Sequence, residues 1–522
     1  MKRTDFSVDW LFAACAPDTE LLPWNAQFTP VDLPHDWQIR HADDLYRDGT
    51  LFYRKYFFAT DVPGTRRMLW FGGAYMDTTV FVNGTEVGQW KYGYTSFWFD
   101  ITDALHEGQN EVLVRCNLRH PNSRWYSGAG LYRNVELWEA PDLHLMPDGL
   151  YVAAKEGDNG AWTVAVTAEV GSVTATSAGH TLTLHLTDDN GSLLGTAAIP
   201  ADAWAALPSP DGWRTGKETA IYKASHTFAL QDPALWDLDA PSFYHITAEL
   251  TGADGVTDTL TTRFGCRTIE ATPDCGLLVN HKRVLIKGVC IHHDFGCLGS
   301  AFEYSAAKRQ LEILKSMGVN SIRTGHTPPA PQFMDLADEM GILMDVESFD
   351  CWRSGKNPYD YGRFFDEWQE KDVAAWIRRD RNHPSLLFWC IGNEIYDTHA
   401  GSEGADTMRM LLAEVAAHDP ARNGIPTLGS NYMPWENTQH CADIIKVAGY
   451  NYGERLYASH HEKHPDWVIY GSETSSIVQS RGIYHFPLSQ SLLSDDDLQC
   501  SSLGNSRTSW GAESWEIGRA HF

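Results

Sequence analysis

The sequence has no uninterrupted apolar run near the roughly 18 residues that a membrane-spanning helix requires, so no spanning helix is expected. It opens MKRTDFSVDWLFAACAPD, basic and then mixed in polarity, without the apolar core of a secretory leader. Its ten cysteines show no C-x-x-C pairing. Neither a zinc site nor a disulfide framework is therefore indicated, and a reducing cytoplasm is the expected location. Positive charge is scarce too: 41 Lys and Arg stand against 68 Asp and Glu, a formal net charge of -27. That imbalance opposes nucleic acid and anionic membranes as partners, favours solubility, and says nothing about fold.

The 522 residues, 43% of them hydrophobic, exceed what one core can hold and predict two or three domains. Residues 50 to 140 are rich in strand signals. TLFYRKYFF, RMLWFGGAY, TTVFVNGTEVGQW and NEVLVRCNL carry β-branched and aromatic residues, with turn pairs such as Asn83-Gly84 between them. Residues 1–141 read as a β-sandwich. WTVAVTAEV, HTLTLHLTD, KASHTFAL, FYHITAEL and DTLTTRFG form a second block, read as an immunoglobulin-like sandwich over 142–266. From 267 to 522, apolar strands alternate with helical stretches. Strands are expected at 283–291, 321–326, 343–348, 386–394, 426–431, 444–452 and 467–473. Helical spacing is clear in SAAKRQLEILKSMG and FFDEWQEKDVAAWIRRD. Such alternation predicts a parallel sheet and, at this length, a (β/α)8 barrel with its eighth strand missing. Aromatic residues make up 12% of the chain, which suits either sugar stacking or ordinary core packing.

The segment LLFWCIGNE (386–394) runs through seven residues without charge or amide and ends on Asn393 and Glu394. WVIYGSE repeats the pattern and ends on Glu473. A glutamate at a strand–helix junction can simply cap the next helix. Other strands end on polar groups as well: His292, His293 and Asp294; Arg323 and His326; Asp345, Glu347 and Asp350. Barrel active sites form where the strands end, so this convergence favours catalysis. Two glutamates across one barrel suit glycoside hydrolysis, one carboxyl protonating the leaving oxygen and the other attacking the anomeric carbon. Burial beside Trp389 is expected to favour a protonated Glu394, and an arginine such as Arg323 to hold Glu473 ionised. His292, His293 and Asp294 read as a hydrogen-bonded loop in preference to a metal cluster. Trp352 reads equally as sugar platform or core plug. Trp125 and Tyr126 lie in the first sandwich, where packing is the expected role and a place at the active-site rim the alternative.

RNHPSLLFWCIGNE resembles the acid/base signature of glycoside hydrolase family 2, the β-galactosidases, β-glucuronidases and some β-mannosidases. NSIRTGHTPPAPQFMDLADEMGILMDVESFDCW resembles that family's second and third barrel strands. LPHDW, FVNGTEVG and SRWYSGAGLYRNV resemble its N-terminal sugar-binding sandwich. The resemblance implies a jelly-roll-like sandwich, an immunoglobulin-like sandwich and a TIM barrel. It implies a retaining exo-β-glycosidase with a carbohydrate substrate and, in the parent enzyme, a homo-oligomer. It makes Glu394 the general acid/base and Glu473 the nucleophile. Asn393 would bind the sugar 2-hydroxyl, Arg323 would sit beside the nucleophile, and His292 and His326 would contact sugar hydroxyls. Tyr452, or Tyr450, would hydrogen-bond the nucleophile. No cofactor is expected: Cys351 and Arg353 stand where some family β-galactosidases hold magnesium with a glutamate and a histidine. FDCW, GNEI and SETSSIVQSRG look most like the β-galactosidase branch, with β-glucuronidase or another β-glycosidase the alternative. A binding protein without catalysis is the reading from another class.

The last residues, EIGRAHF (516–522), do not look like the family, and one reading frame of a common sequencing adapter encodes Glu-Ile-Gly-Arg-Ala-His. A truncated reading frame is the expectation. An unclosed barrel leaves two strand edges bare. The 522-residue chain is therefore expected to express poorly or to lack turnover, whereas the full-length parent is active. A soluble product that melts cooperatively and turns over substrate would contradict this.

Overall fold

The computed structural model describes residues 1–474, apart from 42–43, 61, 175, 208–211 and 254. The expected eighth strand and the closing EIGRAHF lie outside the described residues.

The chain first builds two facing antiparallel sheets. One has six strands, ordered Thr29–Val31, Trp10–Cys15, Gly49–Ala59, Gly108–Leu118, Thr78–Val82 and Thr85–Trp90. The other has four, ordered Lys2–Asp5, Val135–Pro141, Thr65–Phe71 and Phe97–Asp100. Alternate side chains such as Val112, Val114 and Cys116 turn inward onto Trp10, Tyr53, Leu69 and Phe71. A second sandwich follows, four strands against four. Its core is Val164, Val166, Leu182, Leu184, Ile246 and Leu250. Thr181–Asp188 alternates buried and part-exposed residues, as a strand with one wet face must.

The remainder is a curled sheet of seven parallel strands in sequential order. They are β1 (Gly288–Ile291), β2 (Ser321–Thr324), β3 (Leu343–Glu347), β4 (Leu386–Asn393), β5 (Ile425–Ser430), β6 (Val447–Asn451) and β7 (Val468–Glu473). Helices intervene: α1 (Tyr304–Ser316), α2 (Pro331–Met340), α3 (Phe365–Asp380), α4 (Asp397–Ala400), α5 (Glu403–His418), α6 (Glu436–Ile445) and α7 (Tyr457–Lys463). β4 is buried at every position, because side chains on one face fill the barrel and those on the other meet helices. Among the described residues β1 and β7 are the edges of this incomplete barrel.

Two strands are shorter than their apolar runs. Of 283–291, Arg283 belongs to a small antiparallel sheet with Gly276–Val279, and β1 begins only at Gly288. That small sheet closes the barrel floor, placing Leu277 and Val279 against Leu343 and Leu387. Of 444–452, Ile444 and Ile445 finish α6, and Lys446 at φ +68° ends that helix in the left-handed region before β6.

The domains are joined by buried polar bonds. Thr95 donates to Asp372 Oδ1 at 2.7 Å, and Arg133 Nη2 to the Pro328 carbonyl at 2.9 Å. At the other face Asp338 of α2 accepts from His383 at 2.6 Å, from the Ser385 amide at 2.9 Å and from Arg263 of the second sandwich at 3.3 Å. Asp335, Asp338 and His383 lie close enough to surround an ion, yet Arg263 already pairs with both carboxylates. Burial pushes the Asp338 carboxyl up, but His383 and Arg263 outweigh it and hold it below its usual range. Burial likewise opposes charge on His383, and Asp338 overcomes it, raising His383 to about 9. The His383 contribution is therefore complete below its unfolded value near 6.5 and is lost as pH rises through about 9. Thermal midpoints should fall over that interval. Asp338→Asn should cost about 3 kcal/mol at pH 6, as expected for breaking a buried pair, and should flatten the decline between pH 6.5 and 9.

Candidate active site

Of the strand-end residues singled out above, His292, Arg323, His326, Glu347, Asp350, Asn393, Glu394 and Glu473 meet at the C-terminal mouth of the curled sheet; Asp345 sits deeper and accepts from the Tyr470 hydroxyl at 3.1 Å, and His293 and Asp294 turn toward the first sandwich. β4 and β7 each carry a β-bulge just before their glutamate: register slips between Cys390 and Asn393 against β5, and around Gly471 and Ser472 against β6. Bulges re-aim side chains at barrel rims. Glu394 then adopts φ +46°, and its amide bonds the Gly429 carbonyl at 2.8 Å. A left-handed glutamate is uncommon and is held here by the surrounding bonds.

Arg323 of β2 occupies the centre. Its Nη1 donates to Glu473 Oε1 at 2.7 Å, and its Nη2 donates to Asn393 Oδ1 at 2.9 Å and also to Glu347. It can reach these groups because residue 429 is glycine; a Cβ there would stand 2.7 Å from Nη2. Asn451 of β6 completes the link, with Nδ2 donating to Asn393 Oδ1 at 3.0 Å and to Glu394 Oε1 at 3.1 Å. Glu394 and Glu473 thus belong to one network through Arg323, Asn393 and Asn451.

The two carboxyls have different settings. Burial pushes Glu473 up, but Arg323, His326 and the Tyr452 hydroxyl outweigh it and hold it down at about 2. Glu394 Oε2 accepts from Arg124 Nη1 and Nη2, each at 3.2 Å. Arg124 also binds Asp350 Oδ1 at 3.0 Å, where Lys356 arrives at 2.7 Å and Asn393 Nδ2 at 2.9 Å. Those two cations overcome burial and keep Asp350 well below the usual carboxylate range.

His326 donates from Nδ1 to Glu347 Oε2 at 2.5 Å, leaving Nε2 3.7 Å from Glu473 Oε1. His292 donates from Nδ1 to the Gly325 carbonyl at 2.5 Å; burial and His326 lower it to about 4, so it is neutral at pH 7. Trp125 stacks on His292 at 5.4 Å and meets His326 edge-on at 5.6 Å. These three rings form one wall. His293 instead bonds the Ser127 carbonyl at 2.9 Å and faces the first sandwich.

Of the two tyrosines weighed, Tyr452 hydrogen-bonds Glu473. Tyr450 is fully buried and bonds His460 at 2.9 Å. Trp352 is a core plug, fully buried with its N–H on the Ile391 carbonyl at 2.9 Å. Cys351 is buried, and Arg353 pairs with Asp366 at 2.6 Å, facing the helix layer. Trp389 does not shield Glu394. It points outward to Trp376, 4.9 Å away, and donates to Asp419 at 3.0 Å, because alternate residues of β4 face opposite sides. Arg124, Lys356 and Asn451 were not anticipated. Arg124 sits inside the SRWYSGAG loop, where its neighbour Trp125 drew attention, and Asn451 precedes Tyr452 by one residue.

Two family models fit the chain: "Glycosyl hydrolases family 2, TIM barrel domain" over residues 271–461 and "Glycosyl hydrolases family 2" over 148–267. The chain belongs to glycosyl hydrolase family 2. It is 32% identical to the beta-galactosidase BoGH2A of Bacteroides ovatus over 98% of this chain and 64% of that protein. It is 26% identical to a beta-glucuronidase of Bacteroides fragilis over 76% of this chain and 59% of that one. A glycosyl hydrolase family 2 member from Bacteroides cellulosilyticus superimposes with a TM-score of 0.81 at 29% identity, covering 92% of this chain and 62% of that structure. The chain thus spans less than two thirds of the length of these family 2 relatives.

Tyr452→Phe should raise the Glu473 carboxyl by about one pH unit by removing a donor to its charged form, whereas Tyr450→Phe should leave it in place. A 13C NMR titration of labelled glutamate side chains reads both.

Proposed function

We propose that this chain forms the catalytic part of a retaining exo-β-glycosidase acting on terminal β-D-galactosides. The supporting observation is a carboxylate held ionised by Arg323 and joined, through Asn393 and Asn451, to a second glutamate at the same barrel mouth.

In this reading Glu473 attacks the anomeric carbon while the bond to the leaving oxygen breaks, and Glu394 delivers its proton to that oxygen. A covalent glycosyl ester on Glu473 results. Glu394, now ionised, takes a proton from water, and the water displaces Glu473 with overall retention. Arg124 rests on Glu394 in the empty site, with Asp350 as its second anchor. It withdraws to Asp350 when Glu394 carries its proton. Asn393 uses one amide N–H for Asp350, leaving the other for the sugar 2-hydroxyl. His292, neutral with Nδ1 on the backbone, offers Nε2 as an acceptor to a hydroxyl. His326 offers Nε2 beside the nucleophile. Tyr452 donates to Glu473 and stabilises it as the ester is broken.

The similarity to beta-galactosidase BoGH2A across 98% of the chain supports the galactoside reading. A β-glucuronidase is the second reading, favoured by the similarity to a beta-glucuronidase and by two cations, Arg124 and Lys356, at the site. A panel of nitrophenyl β-glycosides on the full-length parent separates the two, and absence of turnover on every member would leave only a carbohydrate-binding role.

Glu394→Ala should cost about 100-fold or more on alkyl β-glycosides, whose leaving groups need a proton, and far less on nitrophenyl glycosides. Glu473→Ala should abolish both. Equal losses on both substrates in the two variants would contradict the assigned roles.

A further inference from the structure

The barrel mouth carries a second group of aromatic side chains, on the flank away from Trp125. Tyr396 follows Glu394 by two residues. His399 lies in α4, and Tyr432 and Trp435 lie on the loop between β5 and α6. The rings adjoin one another: Tyr396 meets His399 at 5.9 Å and Tyr432 at 6.1 Å, Tyr432 meets His399 at 4.1 Å, and His399 meets Trp435 at 5.5 Å. The inner end touches the site. Lys356 Nζ stands 6.0 Å from the Tyr396 ring while donating to Asp350 and to the Asn393 carbonyl. The outer end is open, with Trp435 57% exposed, and Tyr396 at the inner end is itself 38% exposed.

Single exposed aromatics need no explanation. A connected row of four, running outward from the residue beside Glu394, is a different feature. It does not complete a core, since its largest member is more than half in water. Its chemistry is π faces and hydroxyls, with Lys356 below and no carboxylate in the row. That suits the C–H face and hydroxyl rim of a neutral or anionic sugar and not a cationic peptide.

We infer that Tyr396, His399, Tyr432 and Trp435 form an aglycone platform that selects a β-linked sugar as leaving group. The inference rests on the glycosidase reading above, in which Glu394 protonates the leaving oxygen. Whatever is attached to that oxygen must then emerge over Glu394, the point where the row starts. The wall made by Trp125, His292 and His326 faces the ring that Glu473 attacks. The two aromatic groups thus divide glycone from aglycone. The sensitivity of the Tyr432 hydroxyl to the Glu394 charge agrees with this placement; burial first and that charge second raise it to about 12.

The test compares kcat/KM for a β-1,4-linked disaccharide with that for the methyl glycoside of the same glycone. In Trp435→Ala the ratio of the two should fall about tenfold, the scale of roughly one lost stacking contact. Trp435→Phe should restore most of it. A ratio unchanged in Trp435→Ala overturns the platform, and so does a larger ratio. Sugar binding supplies a readout that needs no turnover. In 5-fluorotryptophan-labelled protein, the 19F resonance assigned to Trp435 by its loss in Trp435→Phe should shift on titration with the disaccharide and not with the methyl glycoside. Full-length parent enzyme that binds in this way but hydrolyses neither compound would remove the catalytic proposal and leave the platform standing. An unmoved resonance in an active enzyme would do the reverse.

Discussion

The site depends on one buried guanidinium. Arg323 crosses the barrel interior and is almost fully shielded from water, a position that is costly for a cation unless carboxylates and amides surround it. Glu473, Glu347 and Asn393 supply those partners, and each in turn depends on Arg323. Remove the charge and two carboxylates stand close together in a low-dielectric space with nothing to balance them. With it present, Glu473 stays ionised far below neutral pH, and the Asn393 amide is held by three separate bonds. Orientation and ionisation thus have the same cause.

A second guanidinium, from a different domain, holds the other carboxyl in place. Arg124 comes from the first sandwich and reaches across to Glu394 and Asp350. The sandwich is tied to the barrel by Thr95 on Asp372, by Arg133 on a backbone carbonyl, and by Asp36, which accepts from the Ser300 amide at 2.9 Å. Those bonds fix the loop that carries Arg124 and Trp125. The first sandwich is therefore part of the site wall, which it enters through Trp125 packed against His292 and His326.

The sequence was most legible where a periodic pattern met a local exception. β4 stood out because seven residues without charge or amide end on Asn393 and Glu394, and β7 because it ends on Glu473. A strand's residues point alternately inward and outward, but sequence does not say which parity faces the barrel. Trp389 shows this, since it appeared to shield Glu394 and in fact packs on Trp376 outside. Tyr450 and Tyr452 share a parity, but Tyr452 lies one residue past β6 in the left-handed region, and the bulge in β7 re-aims Glu473. Trp352, open to two readings, is settled by full burial.

The sequence by itself determined the strand-rich and alternating regions and the two strand-end glutamates, because these follow from local spacing and side-chain chemistry; the arginine beside Glu473, 150 positions away, was implied only by the family resemblance. Only the tertiary structure decided that Arg124 binds Glu394, that Asn451 bridges to Asn393, and that Tyr396 and Trp435 lie in one row. Those contacts join residues as many as 270 positions apart, and a contact between distant segments depends on how sheets curl and domains dock.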